Sequence, residues 1–286
     1  MGNQKEAEAA AFAASTEGVP PPPYQETDDN ANTYLPLGPA PTYDVGESSS
    51  GAGSISGVKP KFPAALNAYM GFAKTFQLGE RKEEPLFAVR MHSGFTKNPD
   101  LVLYDGPSDK GPVLATATHE SLWKSSSILT VPAREGVAHD SESQRVAMPG
   151  HWNLKRQTFA FAAEVGVGKE TRREEFEWRS SHGSEVKELD GYRWGWKLVR
   201  LSSQGPGGGG ERATRALGST SDGLEVVAAW AHNNSFSMSK MFKFQLMGSA
   251  LAGMLGERGA TLALISALRI WWLEVNSAAA GAAASS

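Results

Sequence analysis

Gly259-Ala260-Thr261-Leu262-Ala263-Leu264-Ile265-Ser266-Ala267-Leu268-Arg269-Ile270-Trp271-Trp272-Leu273-Glu274-Val275-Asn276 is the stretch that decides the fold of this chain. Helical spacing puts Leu262, Ile265, Leu268, Trp272 and Val275 on one stripe. Leu264, Ile270, Trp271 and Leu273 fill most of the remaining circumference. A helix that is apolar nearly all round must be enclosed, by protein or by lipid. The uninterrupted run Gly259–Leu268 covers about half of the roughly twenty residues a bilayer needs. Arg269 ends it, and an arginine at the midplane costs about 2.5–3.5 kcal/mol on insertion scales. The segment therefore reads as a helix near 255–275 enclosed by protein, inside a helical period that runs from about Gly248 to Asn276.

Upstream the period is two. Phe242, Phe244 and Leu246 alternate with Lys243 and Gln245, and Trp194, Trp196 and Leu198 alternate with Gly195 and Lys197. Phe176 and Trp178 alternate with Glu175, Glu177 and Arg179; Phe159, Phe161, Ala163 and Val165 do the same. Further runs are Leu224–Ala231, Ser127–Val131 and Leu86–His92. Asp100–Asp105 and Val113–Thr118 flank the Gly/Pro/Asp cluster 105–112, a hairpin signature. One-sided alternation favours antiparallel strands with one face in a core. Roughly nine or ten short strands with turn-rich joints predict a sandwich or a barrel. Two joints, Ala133–Gly150 and Ser203–Ser219, are long and are expected to be mobile.

Residues 1–57 have a different character. They contain one base, Lys5, and eight acids, giving the segment a formal charge of −7 within a chain of −3. Rich in Ala, Pro, Ser, Gly, Asn and Asp and without apolar periodicity, the segment is expected to be a disordered acidic arm. Residues 58–276 form the expected domain, and 277–286 a disordered tail. The body is left mildly basic, which permits contact with anionic headgroups but lacks the excess a general nucleic-acid binder needs. The chain has no cysteine, which excludes disulfides, thiolate metal sites and a cysteine nucleophile. No secretory signal is evident, and a monomeric, cytoplasmic protein, peripheral at membranes, is expected.

Signs of catalysis are weak. The six histidines show no ligand spacing; His119-Glu120 has Trp123 where a zincin helix needs its second histidine. Ser121-Leu122-Trp123-Lys124 and Ser237-Met238-Ser239-Lys240 fit S-x-x-K without its companion motifs. The Gly-rich run 205–210 lacks the Lys-Ser/Thr of a phosphate loop. No catalytic residue, cofactor or metal is expected. One linear motif does carry a mechanism: Pro21-Pro22-Pro23-Tyr24 matches the P-P-x-Y ligand of WW domains. Prolines preform a polyproline II helix that loses little entropy on docking into an aromatic groove. Tyr24 supplies the specific anchor. A WW-domain protein, such as a HECT-type ubiquitin ligase, is the expected partner.

The order of features from about Leu86 to Asn276 resembles the tubby C-terminal-like superfamily, which includes LURP-one-related proteins and phospholipid scramblases. The resemblance is carried by Leu103-Tyr104-Asp105-Gly106 with Gly111-Pro112-Val113-Leu114, by Phe176-Glu177-Trp178-Arg179 and Gly195-Trp196-Lys197-Leu198, and by Lys243-Phe244-Gln245-Leu246 leading into the helix. It implies a mainly β fold: a closed antiparallel barrel of roughly ten to twelve strands enclosing the apolar C-terminal helix. It also implies a non-enzymatic binding module for phosphoinositide or an anionic membrane surface. Arg172, Arg173, Lys240 and Lys243 are the candidate contacts, although no family cluster matches them residue by residue. The alternative is a membrane-anchored, scramblase-like protein whose last helix enters lipid.

Overall fold

A computed structural model describes residues 61–71, 74–92, 96–120, 126–133, 142–153, 156–166, 171–189, 194–211, 215–232 and 240–284. The Pro-rich segment with Pro21, Pro22, Pro23 and Tyr24 lies outside these residues, so the expected disorder of 1–57 is not addressed by them.

Thirteen strands make one antiparallel sheet: β1 (Ala65–Met70), β2 (Thr75–Gly79), β3 (Phe87–Met91), β4 (Leu101–Asp105), β5 (Val113–His119), β6 (Ser127–Val131), β7 (Gln144–Met148), β8 (Gly150–Asn153), β9 (Arg156–Val165), β10 (Arg172–Ser181), β11 (Gly195–Gln204), β12 (Leu224–His232) and β13 (Lys240–Leu246). The count is slightly above the ten to twelve expected. Strands β1–β7 and β8–β13 are two meanders, joined where β1 pairs with β13 and Leu66 lies opposite Phe244. Two short helices, α1 (Ser184–Lys187) and α2 (Gly248–Leu251), and one long helix, α3 (Gly256–Ala284), complete the described residues.

The sheet curls into a nearly closed barrel around α3. Every residue from Gly259 to Trp271 is buried, on all sides of the helix. The inward faces of the strands meet it with Trp178, Trp196, Trp230, Phe76, Phe159, Phe242 and Phe244, all fully buried. Phe76 and Phe242 both make edge contacts with Trp271. Burial of so many aromatic rings stabilises the enclosed helix by about 1.5–3 kcal/mol per side chain. Two features register α3 along the barrel. At the start, Gly256 has φ +66 and lies against the backbone of Gly166, at the end of β9. Halfway along, the indole N–H of Trp178 donates to Ser266 Oγ at 2.8 Å, and that hydroxyl donates on to the Ala263 carbonyl at 2.9 Å. A buried polar wall-to-helix contact is thereby satisfied at both ends.

Two expectations need correction. The helix does not give way to a disordered tail at 277: α3 runs to Ala284. The reason is composition, because alanine has the highest intrinsic helix propensity and an existing helix propagates cheaply through it. The long joint Ala133–Gly150 contains a strand, β7. The barrel closes nearly all the way round, as expected. Between β7 and β8 stands a single residue, Pro149, too short a joint for the chain to reverse. The chain runs on from β7 into β8, and β8 pairs with β9 from Asn153↔Arg156 to Gly150↔Phe159. The last bridge is Ala160 N–H to the Pro149 carbonyl at 3.3 Å. Beyond it no ladder among the described residues joins β9 to β7, and these two edges form a seam.

Candidate functional site

Strand register defines two rims. One, the entry rim, carries the start of α3, the end of β9 and the beginnings of β7 and β10. The other, the exit rim, carries the ends of β3, β5, β10 and β12. The four basic residues suggested by the sequence divide between them. Arg172 and Arg173 begin β10 opposite Val165 and Glu164. Lys243 lies opposite Ala231, Ala231 opposite Gly195, and Gly195 opposite Ser181 at the far end of β10. At about 3.3 Å rise per residue the two pairs are separated by roughly 25 Å along the barrel as well as by three strand positions. They do not make one patch.

The exit rim is aromatic and histidine-rich. His92, His119, His151, His182 and His232, all the histidines among the described residues, sit in or beside strand ends there. His232 Nε2 lies 2.5 Å from Glu274 Oε2 as α3 leaves the barrel, and Trp196 donates to the other oxygen of Glu274 at 2.8 Å. Trp194 stacks on His232 with ring centroids 5.6 Å apart. These contacts anchor the helix rather than open a cleft. Among the described residues no group of three histidine or carboxylate side chains could hold a metal ion.

Inside the barrel, charge is neutralised in two places. Arg269, which interrupts the apolar run, lies with Nη1 2.7 Å from Asp100 Oδ2 and donates through Nε to Ser127 Oγ at 2.8 Å. Burial lowers its pKa, and the Asp100 carboxylate opposes that shift. Asp100 also accepts the His119 backbone N–H at 3.0 Å. Near the entry rim Arg200 grips Glu174 with two hydrogen bonds, 2.5 and 2.7 Å, and donates to Ser249 Oγ of α2 at 2.9 Å. The Arg200 hydrogen bonds hold the Glu174 carboxyl at about 2, against the burial that raises it. Glu225 accepts the Ser249 N–H at 2.7 Å and so fixes the start of α2.

A small opening lies at the seam. A cleft of about 150 Å³ is lined by Gln144, Arg145, Val146 and Ala147 of β7, Ala162 and Glu164 of β9, and Arg173 of β10. Its origin is the divergence of β9 from β7 past Pro149. Arg145 and Ala147 alternate with buried Val146 and Met148, so their side chains point outward. The small Ala147 and Ala162 leave a floor, with the Arg145 and Arg173 guanidiniums as walls. Among the described residues no ion pair joins Arg145, Arg173 or Glu164 to a partner, although Glu164 faces Arg173 across the strands. Gln144 lies on the same side of β7 as buried Val146, and its amide oxygen is enclosed without a hydrogen bond. A second cavity, beside Val131 and Thr261, holds about 30 Å³, room for little more than water.

At the entry rim, the segment between α2 and α3 exposes two large apolar side chains, Leu251 at 56% and Met254 at 51%. Met254 is two residues before Gly256, whose backbone touches Gly166 at the end of β9. Arg172 is paired with Glu174 at 2.5 Å and remains half-exposed at the same rim. Sequence reasoning found Arg172 and Arg173 but not Arg145, Leu251 or Met254. The alternation of Gln144-Arg145-Val146-Ala147-Met148 is the one signal that could have marked Arg145 as outward-facing.

Among the described residues no helix is long and apolar enough to cross a membrane. Comparison of the chain with protein-family models, with curated proteins and with solved structures finds no match.

Proposed function

We propose that the barrel is a non-enzymatic binding module that attaches peripherally to anionic membrane surfaces through its entry rim. The observation that carries this reading is the seam cleft, with Arg145 and Arg173 on its walls, at the rim where exposed Leu251 and Met254 precede α3. Guanidiniums take phosphate oxygens bidentately, and exposed apolar side chains at a basic rim add insertion into the headgroup boundary. A tubby-like ancestry accords with a lipid-binding barrel, though fold alone carries no function. The proposed ligand differs from the sequence expectation in position: Arg172 and Arg173 belong to it, Lys240 and Lys243 do not. Flotation with phosphatidylcholine vesicles, with and without anionic lipid including phosphoinositide, tests the proposal. Salt-sensitive capture by the anionic vesicles only is expected; capture that ignores lipid charge or salt overturns it.

The arm is the second half of the proposal. Pro21-Pro22-Pro23-Tyr24 recruits a WW-domain protein, a HECT-type ubiquitin ligase being the class expected, to the surface the barrel occupies. Tyr24→Ala should abolish capture by an array of WW domains; undiminished capture rules the motif out.

A further inference from the structure

We infer that the seam is a latch: β7 and β9 zip together when the cleft is empty, Glu164 then stands in for the anionic ligand, and an incoming lipid phosphate holds the two edges apart. The inference rests on the membrane reading of the same cleft and adds how access to it is controlled. Along a strand, the backbone N–H and C=O groups of successive residues turn to opposite edges. The Ala160 N–H points to the Pro149 carbonyl, so Ala162 and Glu164 of β9 turn their backbone groups toward β7. By the same parity Arg145 and Ala147, ahead of Pro149, turn theirs toward β9. Among the described residues none of these four has a backbone partner across the seam. Two open sheet edges therefore face each other, and folded proteins pair or cover such edges. Continuing the register of Gly150↔Phe159 past Pro149 sets Ala147 opposite Ala162 and Arg145 opposite Glu164. Both matches favour closure. The alanines carry nothing bulky to hold the edges apart, and opposite charges directly across antiparallel strands attract. Glu164 already faces Arg173 on its other side. Closure puts its carboxylate between the two guanidiniums, where a phosphate would otherwise sit, so zipping and anion binding exclude each other. Pro149 supplies the weak point from which the ladder opens. Lacking an N–H, it pairs with Ala160 through a single hydrogen bond of 3.3 Å.

The chain has no cysteine, so Ala147→Cys with Ala162→Cys introduces its only two thiols. A disulfide needs Cα atoms within about 7 Å, and a hydrogen-bonded antiparallel pair brings them to about 5.5 Å. Mild oxidation of the full chain should cross-link the two thiols within one molecule, read by mobility on non-reducing gels. Arg145→Glu in that background sets like charges across the seam and should slow cross-linking about fivefold; adding Glu164→Arg should restore the rate. The oxidised variant should lose at least tenfold in capture by phosphatidylcholine vesicles containing phosphatidylglycerol and regain it on reduction. A cross-linking rate indifferent to both charge changes, or equal capture of the oxidised and reduced forms, overturns the latch. The unsubstituted chain gives a second measurement. Without vesicles, the amides of Arg145, Ala147, Ala162 and Glu164 should exchange hydrogen more slowly than free peptide amides; exchange at the free rate also overturns it. Charge-dependent cross-linking in a chain that no anionic vesicle captures overturns the membrane reading and leaves the zipped seam standing.

Discussion

Arg269 of the central helix and Asp100, immediately before β4, form an ion pair at 2.7 Å, with both side chains only 4% exposed. The pair reconciles a charged residue with a helix that is buried on every side. An isolated arginine there would carry several kcal/mol of desolvation, which a hydrogen-bonded carboxylate offsets. Replacing one partner should therefore hurt more than replacing both. Asp100→Asn keeps the shape and strands the guanidinium, with an expected loss of about 3–5 kcal/mol. Asp100→Leu combined with Arg269→Met should recover most of that loss. Urea unfolding of the single and double variants decides it; equal stability of Asp100→Asn and the parent chain contradicts the account.

Acid should weaken the barrel through Glu174. Its carboxyl is held near 2 in the fold against an ordinary value of 4.5, chiefly by Arg200. A carboxyl depressed in the folded state contributes stability that is fully present above about 4.5 and is lost as pH falls toward 2. The shift corresponds to about 3 kcal/mol. Chemical denaturation between pH 6 and pH 2 should show the decline, and Glu174→Gln should be less stable at neutral pH and less dependent on acid. A parallel pH profile in the variant would remove Glu174 from the explanation.

Gly256 sets where the helix begins. Its φ of +66 and its contact with Gly166 leave no space for a β-carbon. Gly256→Ala should cost about 1–3 kcal/mol through the strained backbone alone, and more if the start of α3 is pushed away from β9. Because the same contact borders the seam, lipid capture should fall together with thermal stability. A variant of parent stability would show that the helix start is not held there.

How far the sequence reveals this structure depends on how strongly each element alternates. Strands rich in large residues, such as Phe159-Ala160-Phe161 and Trp194-Gly195-Trp196, are legible because inward and outward positions differ in kind. The enclosed helix is legible from its apolar circumference and from Arg269. Strands β1 and β7 are much less so: Ala65–Met70 and Gln144–Met148 mix small and polar residues, and their inward positions include Ala68. The seam follows from Pro149 only once β8 is known to continue the line of β7. The partnership of Arg269 with Asp100, and of Arg145 with Arg173, joins residues distant along the chain, and local periodicity holds no information about such pairs. The Lys243 pattern correctly reads as an outward lysine, but not that the register carries it to the rim opposite Arg172.

Leu251 and Met254 separate a membrane-docking rim from a surface that merely binds anions. Both are exposed, so Leu251→Ser with Met254→Ser should leave folding stability within about 0.5 kcal/mol. If their side chains enter the headgroup boundary, each contributes up to about 1.5–3 kcal/mol on full burial, and the double variant should lose more than tenfold in vesicle affinity. The salt response distinguishes this loss from that of Arg145→Glu. Charge contacts at the rim are screened as ionic strength rises, whereas apolar insertion is not. The serine variant should therefore lose its residual binding at high salt more completely than the parent chain does, and Arg145→Glu should bind weakly but with a flattened salt dependence. Measured by flotation at low and high salt, an unchanged affinity in the serine variant would confine the contact to the cleft and exclude insertion of the turn.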